Sequence, residues 1–117
     1  MTDARTLGEM TPALRALRLL AAEYSHLPAP FVHLSPVDAA RLELSLHDVD
    51  LTSDTFAVFE VWREALGIAP DSVIFRVQGN GRTRVLRAEG TFGGVEVALT
   101  AYADAPAADT TAVGGAA

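Results

Sequence analysis

Apolar residues recur along this chain with two different periods, and the switches between them mark out its elements. Leu14, Leu17, Leu20, Ala21 and Tyr24 fall at helical spacing, with Arg15, Arg18 and Ser25 on the opposing side. Thr11 can cap this helix and Pro12 suits its first position, where the missing N–H costs nothing. Leu27-Pro28-Ala29-Pro30 ends it, because a proline disfavours helical geometry in the residue before it. Residues 31–34 form a short extended run closed by Ser35-Pro36. Residues 41–47 then alternate polar and apolar without a break, which predicts a strand with Leu42, Leu44 and Leu46 on one side and water on the other. A second helix starts at Ser53 or Asp54 and runs through Leu66, with Phe56, Phe59, Trp62 and Leu66 along one stripe, Val58 and Ala65 widening it, and Glu60, Arg63 and Glu64 opposite. Gly67 fits a left-handed stop, Ile68 can fold back onto the last turn, and Pro70 prevents resumption.

Residues 73–78 have a strand pattern, and Asn80-Gly81 and Gly93-Gly94 are tight-turn signals. Taken as two-residue hairpin turns, they set Val77 opposite Arg84, Phe75 opposite Leu86, Val73 opposite Ala88, Phe92 opposite Val95, Ala88 opposite Leu99 and Leu86 opposite Ala101. One side of the resulting three-stranded meander carries Val73, Phe75, Val77, Leu86, Ala88, Phe92, Val95, Val97, Leu99 and Ala101, with Arg84 its one polar member. Gly90 reads as a bulge in the middle strand. The expected fold is α+β, in the order α-β-β-α-β-β-β. It has an antiparallel sheet of four to five strands with both helices packed on one face. The pattern gives no position for the first two strands within that sheet. Residues 1–10 read as a flexible N-terminus, 11–102 as a single domain and 103–117 as a disordered tail.

Composition narrows the chemistry. The 117 residues suffice for one core, and 50% hydrophobic residues with a mean hydropathy of +0.23 exclude a chain disordered throughout. No apolar run approaches a bilayer span and residues 1–10 hold no signal core, so the reading is a cytoplasmic protein with no membrane contact. With no cysteine there is neither disulfide nor thiolate chemistry. All nine basic residues are arginine, which removes lysine-dependent catalysis. A net charge of −6 argues against general nucleic-acid affinity.

The motifs point to no catalytic, cofactor or metal site. Asp48-Val49-Asp50-Leu51-Thr52 matches the short D-x-D-x-T signature of haloacid-dehalogenase-like phosphatases, but the strand before it is half exposed, and no lysine or later acidic pair follows. Asp48, Asp50, Thr52 and Asp54 open like a calcium loop, yet Ser53 stands at the glycine position and Phe59 at that of the bidentate glutamate. A solvated loop ahead of a helix explains these acids. His26, His33 and His47 lack helical metal spacing; His33, His47 and Asp48 could meet only by gathering separate elements. None of Ser25, Ser35, Ser45, Ser53 and Ser72 lies in a glycine-flanked elbow. Gly79-Asn80-Gly81 is a hairpin and lacks the further glycine and helix of a phosphate cradle.

What remains is a surface. Arg76, Arg82, Arg84 and Arg87 put four of the nine positive charges into twelve residues without an acid. A soluble edge hairpin accounts for this by itself. The outward sheet face adds Ile74, Val85, Ala98 and Tyr102 beside Arg76 and Arg87, a mixture suited to a protein interface. Residues 59–67 (Phe-Glu-Val-Trp-Arg-Glu-Ala-Leu-Gly) and 84–97 (Arg-Val-Leu-Arg-Ala-Glu-Gly-Thr-Phe-Gly-Gly-Val-Glu-Val) resemble small uncharacterised proteins of high-GC actinobacteria, often phage or integrated-element associated. The resemblance spans most of residues 11–104 and implies no activity or functional residue. The expected function is a non-catalytic interaction or accessory protein, possessing a protein partner or forming a homo-oligomer. Its candidate contact residues are Ile74, Arg76, Arg82, Arg84, Val85, Arg87 and Tyr102. The alternatives are an acidic DNA mimic or nucleic-acid-directed regulator, and then a metal-assisted hydrolase at Asp48 and Asp50.

Overall fold

The computed structural model describes residues 6–47, 55–79 and 81–104. Two helices, α1 (Thr11–Glu23) and α2 (Thr55–Ala65), accompany five strands: β1 (Phe31–Ser35), β2 (Asp38–Leu46), β3 (Ile74–Gln78), β4 (Thr83–Phe92) and β5 (Val95–Asp104). The element order differs from the expected one by two 3-10 turns, Leu7–Met10 ahead of α1 and Pro70–Ser72 ahead of β3. The first is capped by the Thr6 hydroxyl, which accepts from the Glu9 amide at 3.3 Å, so ordered backbone begins before residue 11. At the other end β5 continues past residue 102 to Asp104. The ranges 1–5, 48–54 and 105–117 lie outside the described residues, and with them Asp48, Asp50 and the expected caps Ser53 and Asp54.

The sheet is mixed, in the order β1-β2-β5-β4-β3, which corrects the expectation of an antiparallel sheet. Turn chemistry set the antiparallel neighbours. β4 and β5 join through Gly93 (φ 61°) and Gly94 (φ 85°), a turn with both central residues in the left-handed region, and Phe92 pairs with Val95, Ala88 with Leu99 and Leu86 with Ala101. β3 and β4 pair Val77 with Arg84 and Phe75 with Leu86. β1 and β2 form a hairpin closed by Ser35 and Asp38. The parallel contact is β2 on β5, pairing Leu42 with Val97, Leu44 with Leu99 and Leu46 with Ala101. Burial explains it: β5 holds Val95, Val97, Ala98, Leu99, Thr100 and Ala101 all buried, and a strand apolar on both faces gains most at the centre of a sheet.

Both helices cover one sheet face, and together with it they enclose a single core including Leu20, Leu42, Leu44, Phe59, Trp62 and Leu99. α1 is rotated from its expected face. Ala13, Ala16 and Leu20 are buried, whereas Leu14 is exposed. Small residues let the helix backbone approach the β4–β5 turn: a Cβ added at Gly93 would meet the Ala16 Cβ at 3.3 Å. α2 ends as read. Gly67 takes φ 71°, its amide donates to Glu64 O at 3.1 Å, and the Ile68 amide donates to Arg63 O at 3.1 Å, the paired bonds of a Schellman stop. Arg63, expected on the solvent side, is buried instead. Its guanidinium donates to Ile68 O at 2.6 Å and bidentately to Glu60 at 2.9 and 3.0 Å, satisfying a carbonyl beyond the helix end. Gly90 is no bulge either, since β4 pairs with β5 without interruption from Thr83 to Phe92.

Candidate interaction surface

The sheet face opposite the helices carries polar side chains that are largely engaged with one another. Arg41 on β2 donates to Glu43 at 3.2 Å, to Glu96 on β5 at 3.3 Å and to Glu89 on β4 at 3.0 Å. The last bond spans the whole of β5, which lies between β2 and β4. Ala98, paired with Glu43 on one side and Glu89 on the other, is small enough to let it pass and is buried beneath these side chains. Arg87 donates to the same Glu89 carboxylate at 2.9 Å and to Thr100 Oγ1 at 3.2 Å. The Arg41 guanidinium, then that of Arg87, hold the Glu89 carboxyl below the usual range, and the Glu89 bond in turn raises Arg41. At the other end of this face Phe31, His47 and Tyr102 form an aromatic row, with Phe31 edge-on to His47 at 5.1 Å and His47 stacked on Tyr102 at 5.0 Å between ring centroids.

This network has a pH signature. A carboxylate depressed in the folded state stabilises the fold above its unfolded pKa, near 4.3, and that contribution disappears as pH falls through the lower folded value. Glu89 is more than half exposed, so screening holds its share below about 1 kcal/mol. Glu89→Gln therefore lowers the urea midpoint at pH 7, and its difference from wild type shrinks at a second, more acid pH below the ordinary carboxylate range. Equal deficits at both pH values would refute the assignment.

The seven candidate contact residues divide into two groups. Ile74, Arg76 and Arg82 are exposed as expected. Val85, expected at the surface, is buried between its cross-strand partners Arg76 and Tyr102, and Ala98 is buried likewise. Tyr102 is half-buried and committed to His47, and Arg87 to Glu89. Arg84 sits on the helix side, its guanidinium 4.9 Å above the Phe56 ring. The outward arginine and tyrosine near β5 thus hold the sheet together.

One exposed apolar surface lies at the β3 edge of the sheet, while Leu7, Val37 and Phe31 are exposed elsewhere. Every residue of β3 is exposed, and Ile74, Phe75 and Val77 are 56%, 54% and 51% accessible. Phe75 and Val77 were expected in the core. They do share a face with Leu86, but α2 packs over β5 and its neighbours, and the helix layer stops short of the last strand. Sequence reasoning missed this because side-chain alternation assigns a face without saying whether anything covers it. One signal was legible: residues 73–75 and 77 are apolar on both faces of the strand, more than a one-sided sheet requires.

The remaining features bring little chemistry together. An apolar cavity of about 310 Å³ lies between α1, β1 and Trp62, lined by Leu17, Leu20, Tyr24, Leu27 and Val32 among others. Its two polar rings are spoken for, since the Tyr24 hydroxyl donates to Ala65 O at 3.0 Å and Trp62 Nε1 to Pro28 O at 2.9 Å. Among the described residues no group of three His, Asp or Glu side chains could hold a metal ion, and His26, His33 and His47 do not converge. No helix among those residues is long and apolar enough to cross a membrane.

No protein-family model, curated protein or solved structure matches the chain.

Proposed function

We propose that the chain is a non-catalytic interaction protein that meets a protein partner through the β3 edge and its arginine-bearing hairpin. The observation that carries this reading is the exposure of Ile74, Phe75 and Val77 on a strand that, among the described residues, is hydrogen-bonded to β4 alone. A row of unpaired backbone groups flanked by large apolar side chains is a template for another strand. Arg76 and Arg82 add charged anchors at its rim. Direct nucleic-acid binding has less behind it, because Arg87 is neutralised by Glu89 and Arg84 is stacked on Phe56.

Phe75→Asp tests the reading. A charge at the centre of the edge should weaken any association of the chain, with itself or with a host protein, by at least about 30-fold while circular dichroism stays unchanged. The reading fails when every complex formed by the wild-type chain in solution or in host lysate forms equally with this variant.

A further inference from the structure

Resting on that reading of the β3 edge, we infer that its partner is a second copy of this chain, paired antiparallel across a two-fold axis at Phe75. The backbone parity follows from the β4–β5 turn. Its two glycines make Phe92 and Val95 a hydrogen-bonded pair, so in β4 the even-numbered residues turn their backbone groups to β5 and the odd-numbered ones to β3. Thr83, Val85 and Arg87 accordingly bond to Gln78, Arg76 and Ile74, which leaves the N–H and C=O of Phe75 and Val77 on the open edge. Two copies can join these groups only in registers that place residues of equal parity opposite each other.

Charge and side-chain character choose among those registers. Centring the axis on Arg76 would set two guanidinium groups directly opposite, which is destabilising. Centring it on Phe75 sets Phe75 opposite Phe75, Val73 opposite Val77 and Ile74 opposite Arg76. One face of the joint is then wholly apolar, and each arginine stem lies on an isoleucine. The same register brings the exposed turn of Asp71 in one copy beside the exposed Gly79 and Arg82 of the other. Neither Asp71 nor Arg82 has an ion-pair partner among the described residues. A self-complementary edge of this kind gives a closed dimer with one continuous sheet.

The opposite edge of the sheet is built to prevent such pairing. β1 is bracketed by Pro30 and Pro36 and its register shifts between His33 and Ser35, devices that blunt an edge. β3 has neither a proline nor a bulge, and Arg76 is its one charge.

The chain has no cysteine, so introduced thiols report the register directly. The wild-type chain should move from one-chain to two-chain mass in light scattering as its concentration rises. Ile74→Cys and Arg76→Cys, each prepared separately, should not crosslink under mild oxidation, because in this register like positions lie about 7–8 Å apart. Mixing the two should give a disulfide-linked heterodimer, since Ile74 and Arg76 of different copies then sit about 4.5 Å apart between Cα atoms. Both positions are exposed, so neither substitution disturbs the core. Crosslinking by Arg76→Cys alone would overturn the register. A one-chain mass at every concentration would overturn self-pairing altogether, and a Phe75-dependent complex with another protein would still leave the edge as the contact surface.

Discussion

Trp62→Ala lowers the stability of this fold by about 3–5 kcal/mol, the usual range for deleting a buried large aromatic. Trp62 is 4% exposed and lies in the core. Its indole N–H donates to Pro28 O, tying α2 to the connection between α1 and β1, and its ring meets Tyr24 edge-on at 6.3 Å between centroids. Tyr24 in turn donates to Ala65 O and meets Phe92 at 6.3 Å, so one side chain touches the joint between both helices and the β4 end. The truncation opens a cavity, leaves the Pro28 carbonyl unpaired and removes a neighbour of Tyr24. Against a total stability of about 5–15 kcal/mol for a domain of this kind, that loss is a large fraction of the whole. Trp62→Phe keeps most of the packing and loses the hydrogen bond, for about 1–2 kcal/mol. Urea melts followed by circular dichroism measure both, since the change removes the chain's single tryptophan as a fluorescent probe. Equal losses for the two substitutions would show that the hydrogen bond and not the packing is what matters.

Gly90→Ala destabilises by about 1–3 kcal/mol, although replacing glycine within a strand ordinarily helps. A Cβ at this position would meet Ile68 Cγ1 at 2.8 Å and Cδ1 at 3.3 Å. Ile68 has little room to retreat. Its amide is bonded to Arg63 O, its carbonyl accepts from the Arg63 guanidinium, and its β-branched side chain is stiff about χ1. The glycine is therefore the seat for the residue that closes the end of α2. Ile68→Ala costs stability alone but relieves the clash, so the double variant should be more stable than the sum of the two single losses, as read from a double-mutant cycle of urea melts. Strict additivity would contradict the contact.

These two sites mark what the sequence discloses and what it hides. Gly67, Ile68 and the Gly93-Gly94 turn were legible because their chemistry is local: positive φ and tight turns require particular residues within a few positions. The reason for Gly90 was not, because Ile68 is remote in sequence and a glycine kept for close approach looks the same as one kept for a bulge. Arg63 and Arg41 misled for a related cause. A charged residue on a helical or strand face reads as solvated until its acids are located, and Glu89 and Glu96 come to Arg41 only through the sheet order. That order was equally out of reach, since hairpin signals fix neighbours in sequence and nothing local announces that β2 runs parallel to β5. The candidate site was half legible. Ile74, Arg76 and Arg82 are at the surface, while Phe75 and Val77, assigned to the core by alternation, lie where the helices do not reach.

Amide hydrogen exchange tests most directly whether the open edge of β3 is a pairing edge. In dilute solution the Ile74 and Arg76 amides, bonded to β4, should exchange slowly while those of Phe75 and Val77 exchange fast. As concentration rises, Phe75 and Val77 should become protected with the same dependence as the two-chain mass, and the remaining amides of β4 and β5 should hardly change. Fast exchange at Phe75 and Val77 at every concentration, beside slow exchange at Ile74 and Arg76, would contradict it.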